Sequence, residues 1–175
     1  MISAISAEPD PAGIVWMART ASAKGASLQG AQNRAEKDRR WPAMLRKLKG
    51  LRRRGRRSIR IVDADCGAGE LLIHAAQRAR EMGFVAIEAR GIDTDPRLIA
   101  SALRAAAARQ SDPAIGLVFE QGDQDEAKRE EAEYPADLLL CSASDADRSK
   151  RAALARTAAD TVLWDRAAKV SRERQ

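Results

Sequence analysis

Residues Ser58–Gly69 read SIRIVDADCGAG. The segment Ser58–Asp63 is β-branched and apolar and predicts a strand, which empties into the glycine-containing turn Asp65–Gly69. A helix pattern follows over Glu70–Met82 and is closed by Gly83. Working outward, Ala89–Asp93 (ARGID) predicts a second strand, and Phe84–Glu88 fits either that strand or a loop. Pro96–Arg109 reads as an Ala/Leu-rich helix with Pro96 in its first turn. Ile115–Gln121 predicts a third strand, Asp125–Glu133 a short charged helix, and Ala136–Cys141 (ADLLLC) a fourth, wholly apolar strand. Asp145–Asp160 reads as a further helix and Thr161–Trp164 as a fifth strand. Strands alternating with helices, and apolar enough to be buried on both faces, predict a Rossmann-like α/β/α sandwich around a mostly parallel sheet of about five strands.

The chain has 175 residues, 45% hydrophobic, 32% charged and 3% aromatic. That length suits one domain at about 100–200 residues each, with enough apolar residues to bury a core. No apolar run approaches the about 20 residues of a membrane span, and the start MISAISAEPDPAGIVWM lacks a basic stretch before a long apolar one. Two cysteines, Cys66 and Cys141, are too few for a disulfide framework or a cysteine-based zinc site. A cytoplasmic location is the expectation.

Upstream, residues 41–51 carry Trp41, Met44, Leu45, Leu48 and Leu51 on one helical face, so an N-terminal helix should precede the first strand. Residues 1–40, rich in Ala, Ser, Gly and Gln, are expected to form a poorly ordered or lid-like segment with a short helix near Pro11–Ala18, leaving 41–175 as the domain. Charge is asymmetric: residues 1–60 hold 15 Lys/Arg against 4 Asp/Glu, while residues 61–175 hold 16 against 21, together giving +6. The basic peak, Arg46–Arg60, suits phosphate, nucleic acid or an acidic partner, but equally a solvated helix end. No aromatic residue interleaves the arginines to stack on bases, so nucleic acid is the less favoured partner.

In a parallel sheet ligands sit at the carboxyl ends of the strands. Those ends carry Asp63-Ala64-Asp65-Cys66-Gly67-Ala68-Gly69, then Asp93-Thr94-Asp95, then Gly122-Asp123, then Cys141-Ser142. Glycines allow close backbone approach, a helix N-terminus offers free N–H groups, and an acid after the second strand can accept both hydroxyls of a ribose. Asp123 can accept from a purine's exocyclic amine, so the set is nucleoside-shaped. The dinucleotide fingerprint would need glycine at 65, 67 and 70, where the chain has Asp65, Gly67 and Glu70. A carboxylate there repels a pyrophosphate and favours a ligand with positive charge.

The segment IVDADCGAG, followed by RGIDTDPRLIASAL, QGD and ADLLLCSAS, resembles the class I S-adenosylmethionine-dependent methyltransferases over roughly residues 56–145. The resemblance implies S-adenosylmethionine as cofactor and methyl transfer as activity. It implies that Gly67 and Gly69 line the methionine and ribose portion, with Asp63 holding the turn or the amino group. Asp93, with Thr94 beside it, would bind the ribose hydroxyls, and Asp123 would face the adenine amine. Cys141 and Ser142 would lie near the sulfonium or the acceptor. Asp65 stands where the family's motif usually has its first glycine, and its charge can pair with the cofactor's ammonium or sulfonium. Only 33 residues follow Ser142, too few for the family's usual closing hairpin, so the expectation is a minimal version of the fold, an oligomeric partner that completes the sheet edge, or the basic N-terminal helix covering one face.

Each of these residues also has a plain structural reading. Asp63, Asp65, Asp93 and Asp123 suit turns and caps, Cys66 and Cys141 suit packing, and His74 suits a helix boundary. Trp41 and Trp164 read as packing residues. The Asn-Pro-Pro-aromatic pattern of some amino-group methyltransferases is absent, with Ser142-Ala143-Ser144-Asp145 in its place, which disfavours a base or amide acceptor. The alternatives are a non-catalytic binding module on this fold and a nucleic-acid-associated protein working through Arg46–Arg60.

Overall fold

The strands are β1 (Ser58–Asp63), β2 (Ala86–Asp93), β3 (Ile115–Gln121), β4 (Leu138–Ser142) and β5 (Val162–Asp165). The helices are α1 (Trp41–Arg53), α2 (Glu70–Glu81), α3 (Pro96–Ala107), α4 (Gln124–Glu131) and α5 (Ser149–Ala158). The computed structural model describes residues 29–109, 112–142 and 149–165. The helix expected near Pro11–Ala18 lies outside these.

All pairings between the strands are parallel, in the order β3-β2-β1-β4-β5. β1 is therefore central, and the strand order reverses direction between β1 and β4. Alternation along the strands builds the layers. Ile59 and Ile61 of β1, Ile87 and Ala89 of β2, and Leu138 and Leu140 of β4 share one core with α1, α2 and α3. Val62, Ile92, Leu139 and Cys141 face the other way, into a core closed by Ala127 of α4 and by Ala155 and Ala158 of α5. The sandwich is thus three-layered, as the sequence predicts.

Two strand boundaries move. β2 starts at Ala86, and its register pairs Ser58 with Ala86 and Ile59 with Ile87. Charge hides this strand in the sequence: Glu88 is exposed, and Arg90 is held by Glu120, Glu130 and Glu131. β4 starts at Leu138, because the Asp137 carboxylate accepts the Arg60 backbone N–H (2.9 Å) and pairs with Arg56 (2.7 Å). Trp164, expected in the core, is half-buried against the second cluster.

Residues 29–40, expected to belong to a loosely ordered segment, are helical over 29–36 and bury Ala31 and Ala35. Arg34 makes two hydrogen bonds to Glu70 (2.8 and 2.5 Å), and Glu36 meets His74 at 3.2 Å. Trp41 stacks on the His74 ring with centroids 4.5 Å apart. His74 is therefore a helix-face residue that anchors this segment.

Phe119 of β3 sets the closest packing beneath the site. A Cβ added at Gly91 would fall 2.6 Å from two of its ring carbons, and one at Gly69 2.7 and 2.8 Å from two. Gly91→Ala is expected to cost about 1–3 kcal/mol by overpacking. Combined with Phe119→Leu it should cost less than the sum of the single changes, by at least about 0.5 kcal/mol. Urea denaturation of the four proteins checks this, and simple additivity would count against the packing argument.

Candidate functional site at the carboxyl edge of the sheet

β1 ends at Asp63, next to Gly91 of β2 and Leu140 of β4. Beyond it the chain folds back over the end of β2: Cys66 N–H donates to the Ile92 carbonyl (3.0 Å) and Gly69 N–H to the Cys66 carbonyl (2.9 Å). Gly67 and Gly69 have φ of +54° and +75°, a region that L side chains rarely adopt. Gly69 also caps the N-terminus of α2. A Cβ on Gly67 would meet nothing within 4 Å, so the turn presents bare backbone to open space.

Asp93, 6% exposed at the end of β2, holds this turn. One carboxylate oxygen accepts the Gly67 N–H (2.9 Å) and the other the Asp95 N–H (2.8 Å). Asp95 caps α3 by accepting from Arg97 N–H (2.8 Å). Thr94 between them is exposed, and its carbonyl accepts from the Gln121 side chain (3.2 Å). Asp123 is exposed at the end of β3 and caps α4, accepting from Asp125 N–H (2.9 Å) and Glu126 N–H (3.0 Å). These amides hold its carboxyl below the ordinary aspartate range, the Glu126 N–H foremost. Asp123 also lines a cleft of about 230 Å³ with Arg90, Ile92, Glu120, Gln121 and Glu126.

Asp63 is 1% exposed. Burial pushes its carboxyl up to about 6, against the pull of Arg40. The Asp65 N–H reaches it at 3.3 Å and the Arg40 guanidinium at 3.5 Å, both long contacts. Asp65 itself is exposed at the turn. Cys66 is buried beneath the glycines, and burial together with the Asp63 and Asp93 carboxylates pushes its thiol well up, which suits packing and not a nucleophile. Cys141 is buried at the end of β4, with Ser142 half-buried beside it.

The structure therefore brings Asp63, Asp65, Cys66, Gly67, Gly69 and Asp93 together around one turn. Thr94 and Asp123 stand at the neighbouring strand ends on the β3 side, and Cys141 and Ser142 at the end of β4. Sequence reasoning missed Arg40, which is 9% exposed and bonded through Nε and Nη2 to both oxygens of Asp38 (3.0 and 2.9 Å). The Asp165 carboxylate at the end of β5 also acts on it. Arg40 lines a cleft of about 180 Å³ with Arg34, Asp38, Cys66, Ala68 and Glu70, between the N-terminal segment and the glycine turn. An arginine just before the helix that starts at Trp41 and Pro42 carries no local signal of an ion pair with the end of β1.

A family model described as a methyltransferase domain matches residues 56–164. Among solved structures, the chain is similar to one assigned as a caffeoyl-CoA O-methyltransferase from Staphylococcus aureus, with 13% identity over 86% of this chain and 71% of that one, at a TM-score of 0.54. This is a likeness of fold. A magnesium protoporphyrin IX methyltransferase from Synechocystis, solved with S-adenosylhomocysteine bound, matches at 17% identity over 70% of this chain and 53% of that one, with a TM-score of 0.47. One assigned as a class I S-adenosylmethionine-dependent methyltransferase from Listeria monocytogenes matches at 24% identity over 56% of this chain and 27% of that one, with a TM-score of 0.40. The chain thus spans about a quarter of the length of the Listeria structure and about half that of the Synechocystis one. No curated protein matches it. No helix among the described residues is long and apolar enough to cross a membrane. With the family model covering more than half of its residues, the chain belongs to the methyltransferase-domain family.

Proposed function

We propose that this chain binds S-adenosylmethionine across the carboxyl edge of the sheet and transfers its methyl group to a nucleophilic acceptor. The observation that carries this reading is the glycine turn: bare backbone at Gly67, held by Asp93, opening on space beside the exposed Asp65. The donor set fits the cofactor's charge, since Asp63, Asp65, Asp93 and Asp123 suit an ammonium and a sulfonium and repel a pyrophosphate. When bound, the cofactor supplies a methyl group already activated on a positively charged sulfur.

The chain's own residues bind and orient. Gly67 lets the ligand approach main chain, Gly69 shapes the turn over Phe119, and the N-terminus of α2 stands behind them. Asp93 keeps lone pairs beyond its two amide bonds, which suit ribose hydroxyls. Asp123, pre-ionised by its cap, suits an adenine amine. Much of the rate of an in-line methyl transfer comes from positioning, so a rigid edge of this kind can act without a dedicated acid or base.

Isothermal titration should show saturable heat with both S-adenosylmethionine and S-adenosylhomocysteine. Absence of heat at millimolar ligand would overturn the reading. Label transferred from methyl-labelled cofactor to a component of a cell extract would separate an enzyme from a binding module.

The carboxyl of Asp63, at about 6 in the folded chain, lies above its ordinary value near 4. Its contribution to stability is therefore complete below about pH 4 and is lost as pH rises through about 6. A cationic ligand favours the ionised form, so affinity for S-adenosylmethionine should rise over that same interval. In Asp63→Asn both dependences should flatten, read by urea midpoints and titrations between about pH 4 and 7.

A further inference from the structure

The structure divides the arginine-rich run into two sets. Arg52 donates to the carbonyls of Met82 (3.0 Å) and Arg56 (2.6 Å) and lies over the Phe84 ring, Arg56 pairs with Asp137, and Arg60 pairs with Glu131. These are structural. Arg46, Lys49, Arg53, Arg54 and Arg57 are exposed and have no carboxylate partner among the described residues. Several surface arginines elsewhere are paired, as with Arg78–Glu81, Arg80–Asp112 and Arg34–Glu70, while Arg97 and Arg104 of α3 are exposed singly and without a run of neighbouring charge. No Asp or Glu occurs between Asp38 and Asp63, so nothing local in the sequence offsets this charge.

We infer that Arg46, Lys49, Arg53, Arg54 and Arg57 form a docking strip for the phosphate backbone of a nucleic-acid duplex. On α1, positions 46, 49 and 53 lie on one face, with rises of about 4.5 and 6 Å between them. Arg54 and Arg57 extend the line toward the start of β1. Four of the five are arginines, whose planar fork matches phosphate oxygens.

The neighbouring residues choose among polyanions. Trp41, Met44, Leu48 and Leu51 of α1 are buried and Leu45 is partly buried against the same core, so this helix offers no fully exposed large apolar side chain for insertion into a lipid surface. The strip also lacks the exposed aromatic anchor that concentrates energy at protein interfaces, and the aromatic platform on which unpaired bases stack. What remains is backbone recognition through charge, without base readout.

The strip runs along α1 from Arg46, six residues or about 9 Å of helix from Arg40 beside Asp63, to Arg57 at the amino end of β1. The inference rests on these exposed charges alone and is independent of the methyl-transfer reading.

The test is fluorescence anisotropy of the full chain with a labelled 20-base-pair DNA duplex between 50 and 200 mM salt. Five phosphate contacts give a slope of log affinity against log salt near −4.5, or about −0.9 for each contact. The variant Arg46→Gln/Lys49→Gln/Arg53→Gln should bind at least tenfold more weakly, with the slope about 2.7 shallower. These side chains are exposed, so circular dichroism should show an unchanged fold. Arg97→Gln/Arg104→Gln, which removes two exposed charges from α3, should leave the affinity within about twofold. An unchanged slope in the strip variant would overturn the inference. So would equal weakening in the α3 variant, or binding to vesicles rich in phosphatidylserine with none to the duplex at 50 mM salt.

Discussion

The site depends on one buried carboxylate. Asp93 gives one oxygen to the Gly67 amide and the other to the Asp95 amide, and so pins the glycine turn of β1 to the start of α3. Hydrogen bonds to a charged group contribute about 1.5–3 kcal/mol each, and without this one the buried side of the turn would leave amides unsatisfied. The arrangement follows from register. Asp63 pairs with Gly91, so β2 runs two residues past the end of β1, and the turn folds back onto that overhang with Cys66 bonding to Ile92.

Packing beneath the turn makes the same demand from below. The Phe119 ring occupies the space where side chains at Gly69 and Gly91 would stand, with the Cys66 sulfur 3.0 Å from the latter position. Gly69 is thus required twice, for its left-handed backbone and for the ring beneath it. Above the turn, the N-terminal segment brings Arg40 into contact with Asp63, where Asp38 and Asp165 also act on it. One buried guanidinium among three carboxylates leaves the edge acidic in balance, which suits a ligand bearing positive charge.

The alternation of types and the glycine turn were legible because they are local. Strand–helix period changes, Gly67 and Gly69, and the capping aspartates all sit in short windows of sequence. β2 was harder to bound, since Glu88 and Arg90 interrupt its apolar pattern, and Arg90 tolerates a strand because acids from β3 and α4 surround it. The aspartates at the strand ends could be read as caps or as ligand contacts, and the structure gives several of them cap or turn bonds. Asp123 is a helix cap by its hydrogen bonds and is exposed beside a cleft, so the cap role leaves the ligand reading open.

The sequence by itself determined the α/β/α class, the parallel strands and the turn at the first strand's end, because hydrophobic period and glycine placement act over a few residues. Only the tertiary structure decided which charges are used. Arg40, Arg52, Arg56 and Arg60 look like their neighbours in the chain, yet each finds a partner brought close by a different element. Among the described residues, Arg46, Lys49, Arg53, Arg54 and Arg57 meet no such partner. Pairing is a matter of distance in space, and a charge run carries no record of what the fold sets beside it.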